Sequence, residues 1–142
     1  MAAPLHVEYD FTKPPARVFA HLAEHENLEP LFGAKITRLT DGTDGERNGV
    51  GSSRSLKIGP LPPFVETVTE VVPDSRIAYR ITKGSPLKDH VGTMVFTPTA
   101  AGDTHLVYDI HLDSQIPLVA KIVNASLKRS ILKALPEVDR KA

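Results

Sequence analysis

The chain has 142 residues, a length that suits one domain with a real core. Lys plus Arg number 17 and Asp plus Glu number 17, a balance that gives no electrostatic reason to expect nucleic acid or an acidic membrane surface as partner. There is no Cys, which excludes disulfides, thiolate metal sites and Cys nucleophiles and fits a reducing compartment. The opening MAAPLHVEYD lacks the basic and apolar regions of a signal peptide, and no run approaches the roughly 18 apolar residues of a membrane span. The expectation is a soluble, cytoplasmic, single-domain protein over 1–142, without an integral membrane segment.

Leu5, Val7, Tyr9 and Phe11 alternate with His6, Glu8 and Asp10, the period of a half-buried strand. Thr12 then offers a helix cap and Pro14-Pro15 a first helical turn. A short helix over about Pro15 to Ala23 would bury Val18, Phe19 and Leu22. Asn27 to Leu31 reads as a second short helix or turn, closed near Gly33. Strands follow at Ala34–Thr40, Val50–Ile58, Phe64–Val72, Arg76–Lys83, Asp89–Thr97 and Thr104–Asp113, separated by turn-forming stretches. The last long segment, Ile116 to Leu135, predicts the one major helix, ended by Pro136.

That helix carries Val119, Val123, Leu127 and Ile131 on one stripe, flanked by the small residues Ala120, Ser126, Ser130 and Ala134. An apolar ridge with small, partly hydroxylated flanks suits either a helix that covers a space or one docked on the sheet with nothing between. Consecutive strands joined by short turns are antiparallel neighbours. The predicted fold is therefore α+β: a seven-stranded curved antiparallel sheet gripping a long C-terminal helix, with two short helices between strands one and two. A gap between sheet and helix would be the pocket.

Five pieces of the sequence, in this order, resemble a known group: Pro14-Pro15-Ala16-Arg17-Val18-Phe19 after the first strand; Gly49-Val50-Gly51-Ser52; Glu70-Val71-Val72-Pro73-Asp74-Ser75-Arg76-Ile77-Ala78-Tyr79; Ser85-Pro86-Leu87; and Phe96-Thr97-Pro98. The chain looks like a member of the SRPBCC superfamily, with the START-like helix-grip fold, and most like its polyketide cyclase/dehydrase and lipid-transport branch. The resemblance covers nearly the whole chain and speaks to fold more than to activity, since the group includes carriers, sensors and aromatase/cyclases. Relatives often carry Trp where this chain has Leu31 and Tyr108. The resemblance implies a hydrophobic small-molecule ligand, no cofactor, and a monomer or homodimer.

The candidate site residues follow from which side of the sheet they share. If Val72 pairs with Ile77, Glu70 lies opposite Tyr79 and Val68 opposite Ile81, and Glu66 and Glu70 join that inner face. A one-residue slip or bulge would turn both glutamates to solvent and bring Val65, Thr67, Thr69 and Val71 inward. Arg54, mid-strand between two serines, can hold a ligand anion if it points in, or be an exposed strand arginine. His90 shares parity with Met94 and Phe96, either as a proton shuttle at the rim or as an ordinary strand-end histidine. Tyr108, between Leu106 and Ile110, is expected inside, where its hydroxyl needs a partner. With Val119, Val123, Ser126, Leu127 and Ser130 from the helix, these complete the expected ligand-binding set. Glu70, Tyr79 and His90 are the catalytic candidates. His21 and His25 have i, i+4 spacing but no third ligand, so no metal is expected. His105, Asp109, His111 and Asp113 alternate on the other face of the last strand as a solvated surface.

Three readings stand. The first is a cavity that binds a lipid, isoprenoid or polyketide-like molecule. The second is a polyketide aromatase/cyclase or dehydratase that uses acid and base residues in that cavity. The third, an interaction protein using the outer sheet face, is disfavoured by the polar residues there.

Overall fold

The computed structural model describes residues 5–60, 62–84, 88–113 and 117–142, with backbone only at 88–89, 112–113 and 117–120. The elements run β1 (Leu5–Phe11), α1 (Pro15–Ala23), a 3-10 turn (His25–Leu28), α2 (Glu29–Phe32), β2 (Lys35–Thr40), β3 (Ser53–Lys57), β4 (Phe64–Val72), β5 (Arg76–Lys83), β6 (Lys88–Pro98), β7 (Thr104–Asp113) and α3 (Pro117–Lys141). All seven strands form one antiparallel sheet in the order β1-β7-β6-β5-β4-β3-β2. The five pairings from β2 to β7 each join strands consecutive in the chain, and β1 closes the order by pairing with β7. This is the helix-grip architecture expected from the element order.

Alternation sets the faces. In β1, Leu5, Val7 and Phe11 are buried while His6, Glu8 and Asp10 are exposed. In β7, Leu106, Tyr108 and Ile110 are buried opposite them, and Val7 pairs directly with Tyr108. The inner face therefore collects one side of every strand and packs on Val18, Leu22, Leu28, Leu31 and Phe32 of the short helices. Gly33 ends α2 in the left-handed conformation, φ 60°, with its N–H on the Glu29 carbonyl.

The long helix departs from expectation at its end. It continues through Pro136 to Lys141. Proline removes one N–H, which leaves the Leu132 carbonyl without its helical partner. Pro136 and Leu132 both lie on the exposed side, where water can take that carbonyl. Leu135 and Val138, both buried, reward the continuation. Thr12 is not the cap of α1, whose N-cap is Pro14, without a side-chain cap bond. Its N–H and hydroxyl instead donate to the Asp139 carboxylate at 2.9 Å each, tying the end of β1 to the last turn of α3. β3 is shorter than the predicted Val50–Ile58. The Ser85-Pro86-Leu87 stretch lies outside the described residues.

Candidate functional site

The hairpin β4–β5 decides which glutamate faces in. The turn pairs Val72 with Arg76 and Val71 with Ile77, one residue out of the expected register. A bulge at Thr69 then absorbs the extra residue, so Val68 faces Tyr79 and Glu66 faces Ile81. Glu66 and Val68 point inward, and beyond the bulge Val71 does. Glu70 is turned out, exposed, and bonded to Arg76. Neither expectation holds whole: the bulge exists, but it separates the two glutamates. Glu70 leaves the site, Glu66 takes the inner position, and Val72 is exposed.

Five consecutive strands contribute polar side chains to one row on the inner face. Arg54 on β3 and Glu66 on β4 are direct cross-strand partners. Glu66 Oε1 accepts from Arg54 Nε at 3.0 Å and Nη2 at 2.8 Å, with both side chains 3% exposed. The Arg54 guanidinium lies 4.8 Å from the centre of the Tyr79 ring and 6.0 Å from that of Phe32. Taking this pair out of water costs several kcal/mol per ion, which the paired hydrogen bonds and flanking aromatic faces offset.

Tyr79 on β5 reaches Tyr108 on β7 by crossing β6 at Gly92. Gly92 pairs with Tyr79, and a β-carbon there would lie 2.1 Å from Tyr79 Cζ. Only the missing side chain lets the ring lie flat over β6, where its hydroxyl hydrogen-bonds that of Tyr108. Burial holds both phenols well above their ordinary pKa, so both are neutral donors and acceptors. His90 on β6 completes the row. Its Nδ1 sits 3.7 Å from Glu66 Oε2, beyond hydrogen-bond range, and has no other partner among the described residues. Burial lowers its pKa against the pull of Glu66, so the ring is neutral at pH 7.

His25, on the 3-10 turn, borders this cluster and was not singled out in the sequence as part of it. α1 stops at Ala23, so the i, i+4 helical spacing with His21 does not form. His25 is wholly buried, and its Nε2 bonds Ser52 Oγ at 3.0 Å. The Ser52 hydroxyl spends its one proton on the Gly49 carbonyl at 2.6 Å. His25 must therefore donate from Nε2, leaving Nδ1 as a buried lone pair without a partner among the described residues. Burial, with Arg54 nearby, holds its pKa at about 3. A histidine just after a short amphipathic helix carries no sequence signal that would reveal this.

The helix meets the sheet unevenly. Its C-terminal half is seated, with Ile131, Ala134, Leu135 and Val138 buried against α2 and β1. In its N-terminal half Val123 and Leu127 are half-buried against the core, and Ser126 is exposed. Ser126 therefore leaves the expected set, and Ser130 donates to the Pro30 carbonyl at 3.2 Å. The Val119 side chain lies outside the described ones. Met94, Phe96 and Ile110 are buried on the inner face as expected, while Ile81 is only half-buried. Tyr79 and Tyr108 are 1% and 0% exposed, so the floor of the site is closed around them.

The arrangement can do two things chemically. It sets a buried charged pair and a neutral imidazole side by side among apolar residues, a combination that can orient a polar group on a mainly apolar molecule. It also places Glu66 Oε2 and His90 Nδ1 a small motion away from a proton-sharing contact.

Residues 5–138 match the family model described as polyketide cyclase / dehydrase and lipid transport. Among solved structures, the chain is similar to the Zhui aromatase/cyclase from Streptomyces sp. R1128, at 15% identity and TM-score 0.77, covering 99% of this chain and 93% of that one. A protein of Thermus thermophilus matches at 20% identity and TM-score 0.75, covering 98% of both chains. Norcoclaurine synthase from Thalictrum flavum, in complex with dopamine and hydroxybenzaldehyde, matches at 16% identity and TM-score 0.72, covering 99% of this chain and 86% of that one. No curated protein matches this chain in sequence.

Proposed function

The chain belongs to the polyketide cyclase/dehydrase and lipid-transport family, and on that premise we propose that it binds a hydrophobic or aromatic small molecule between the N-terminal half of α3 and the inner sheet face. The observation that carries this reading is the buried Arg54–Glu66 pair on the inner sheet face, with the Nδ1 of His90 beside it unpartnered among the described residues. A structural core gains nothing from an orphaned imidazole nitrogen there, whereas a ligand hydroxyl or carbonyl can answer it. Ligand carbon against Val123, Leu127 and Phe96 would supply the affinity, roughly 25 cal/mol per Å² before association costs. The polar cluster would set orientation. In the relatives named above, an aromatase/cyclase and an enzyme crystallised with dopamine and hydroxybenzaldehyde share this fold.

The test uses a fluorescent apolar probe, 1-anilinonaphthalene-8-sulfonate, with native mass spectrometry of freshly purified protein. Saturable binding is expected, and Leu127→Trp should weaken it by about tenfold, the loss of some 1.4 kcal/mol of contact, without lowering the unfolding midpoint. Absence of saturable binding together with an empty native spectrum would overturn the reading.

The second reading is a cyclase-type enzyme. The exposed pairing of Glu70 with Arg76 speaks against the version built on Glu70. The 3.7 Å approach of His90 Nδ1 to Glu66 Oε2 favours a version in which these two share the proton moved during enolisation. Turnover of a poly-β-keto thioester mimic, lost in both His90→Gln and Glu66→Gln while probe binding persists, would select it over simple binding.

A further inference from the structure

The equal counts of acidic and basic residues conceal a segregation on α3. From Pro117 to Pro136 the helix contains no Asp or Glu. Its exposed side carries Lys121, Lys128, Arg129 and Lys133, and among the described residues none of the four makes an ion pair. The ion pairs on the helix, among the described residues, belong to its last turns, where Glu137 holds Arg140 and Lys141.

The same side also exposes apolar groups. Ile122 is 61% exposed and Leu132 43%, among the most exposed large hydrophobic residues of the protein. At about 100° per residue, Lys128, Lys121, Leu132, Ala125, Arg129, Ile122 and Lys133 follow one another around an arc of roughly 140°. Cations and apolar side chains interleave across that arc. The opposite arc, Val123, Leu127, Ser130, Ile131 and Ala134, faces the protein.

We propose that this outer face of α3 docks on the surface of a bilayer that contains anionic lipid. Charge complementarity selects an anionic partner, since the cations have no acid to answer them within the described part of the fold. Exposed Ile122 and Leu132 select a lipid surface over a nucleic acid, because they can enter the headgroup boundary while the long Lys and Arg stems reach outward. α3 also contains no Phe, Tyr or Trp to stack on bases. No helix among the described residues is long and apolar enough to cross a membrane, so α3 lies along the surface. The proposal is independent of what the inner face binds.

The experiment is co-sedimentation of the full chain with large unilamellar vesicles. One set contains phosphatidylcholine alone, the other phosphatidylcholine and phosphatidylserine at about 3:1. Binding is expected only to the second set, and it should fall as salt rises from about 50 to 300 mM. The triple variant K128Q/R129Q/K133Q should lose at least about tenfold in partitioning, and I122S/L132S about threefold to tenfold. All seven side chains of the arc are exposed or small, and circular dichroism checks that both variants keep the fold. Absence of binding to the anionic vesicles, or equal binding by the triple variant, overturns the proposal. Tighter, K128Q/R129Q/K133Q-sensitive binding to duplex DNA or RNA than to vesicles would overturn it in favour of a nucleic acid.

Discussion

Two clusters of histidine and carboxylate sit on opposite faces of the same sheet, and they behave in opposite ways. On the inner face His90 and His25 each keep a bare nitrogen, and burial lowers both pKa values. On the outer face His6 lies between Asp109 and Glu8, and His105 lies between Asp10 and Glu8, with His105 Nε2 2.8 Å from Glu8. Both nitrogens of each outer ring meet an acceptor, so each ring must carry two protons to satisfy them. Their pKa values are raised, first by Glu8 for His6 and by Asp10 for His105. The residue types are the same on both faces. Access to water decides whether a carboxylate neighbour makes the imidazole a cation or whether desolvation keeps it neutral.

Breaking the inner charge pair should give the largest effect. Glu66→Gln alone leaves Arg54 buried without a counter-charge, an expected loss of about 3–5 kcal/mol. The double variant R54M/E66L, apolar and of similar volume, should recover most of that loss in urea unfolding. If the double variant is as stable as the wild type yet no longer binds the naphthalene probe, the pair serves the ligand rather than the fold. If it stays as unstable as Glu66→Gln, the pair is structural and the contrast between the faces loses its functional meaning.

Gly92→Ala should come next. The new β-carbon would overlap the Tyr79 ring at 2.1 Å, so the ring must leave β6 and release Tyr108. The overpacking should cost about 1–3 kcal/mol, and near-ultraviolet circular dichroism should show the tyrosine pair disrupted. An unchanged tyrosine signal would mean that the flat crossing over β6 is not needed for the pair.

The smallest effects concern pH, and they have opposite signs on the two faces. His25 and His90 have lowered folded pKa values, so the unfolded chain binds more protons below about pH 6.5, the unperturbed value. Their contribution is present above that pH and is lost as pH falls toward the folded values, about 3 for His25. His6 and His105 have raised folded values. Their contribution is full below about 6.5 and is lost as pH rises through the folded values, and for such exposed groups it should be slight. Imidazole resonances of His6 and His105 should therefore titrate above about 6.5 and those of His25 stay neutral at about pH 5. A His25 that protonates near 6.5 would sink the contrast.

Much of the frame was legible in local pattern. β1, α1, β4, β5 and β7 have the bounds that alternation, proline and turn residues indicate, because each depends on neighbours a few residues away. Tyr108 and Arg54 were placed among the candidates, and both lie inside. The glutamates were less readable. Nothing in EVVPDSRI announces that the turn pairs Val72 with Arg76, and nothing in VTE announces a bulge at Thr69. A shift of one residue exchanges the faces of a strand, so the identity of the inner carboxylate rested on a feature without a sequence mark.

By itself, then, the sequence determined the order of elements, the antiparallel sheet and the apolar stripe of the long helix. These follow from the chain's own periods of 2 and 3.6. Only the tertiary structure decided that Glu66 rather than Glu70 meets Arg54, and that Gly92 opens the path from Tyr79 to Tyr108. It alone placed His25 against Ser52 and carried α3 past Pro136. Each of these is a contact between residues distant in sequence, chosen by what could be buried together once the sheet had closed. That choice is made by packing and desolvation in three dimensions, which no local pattern records.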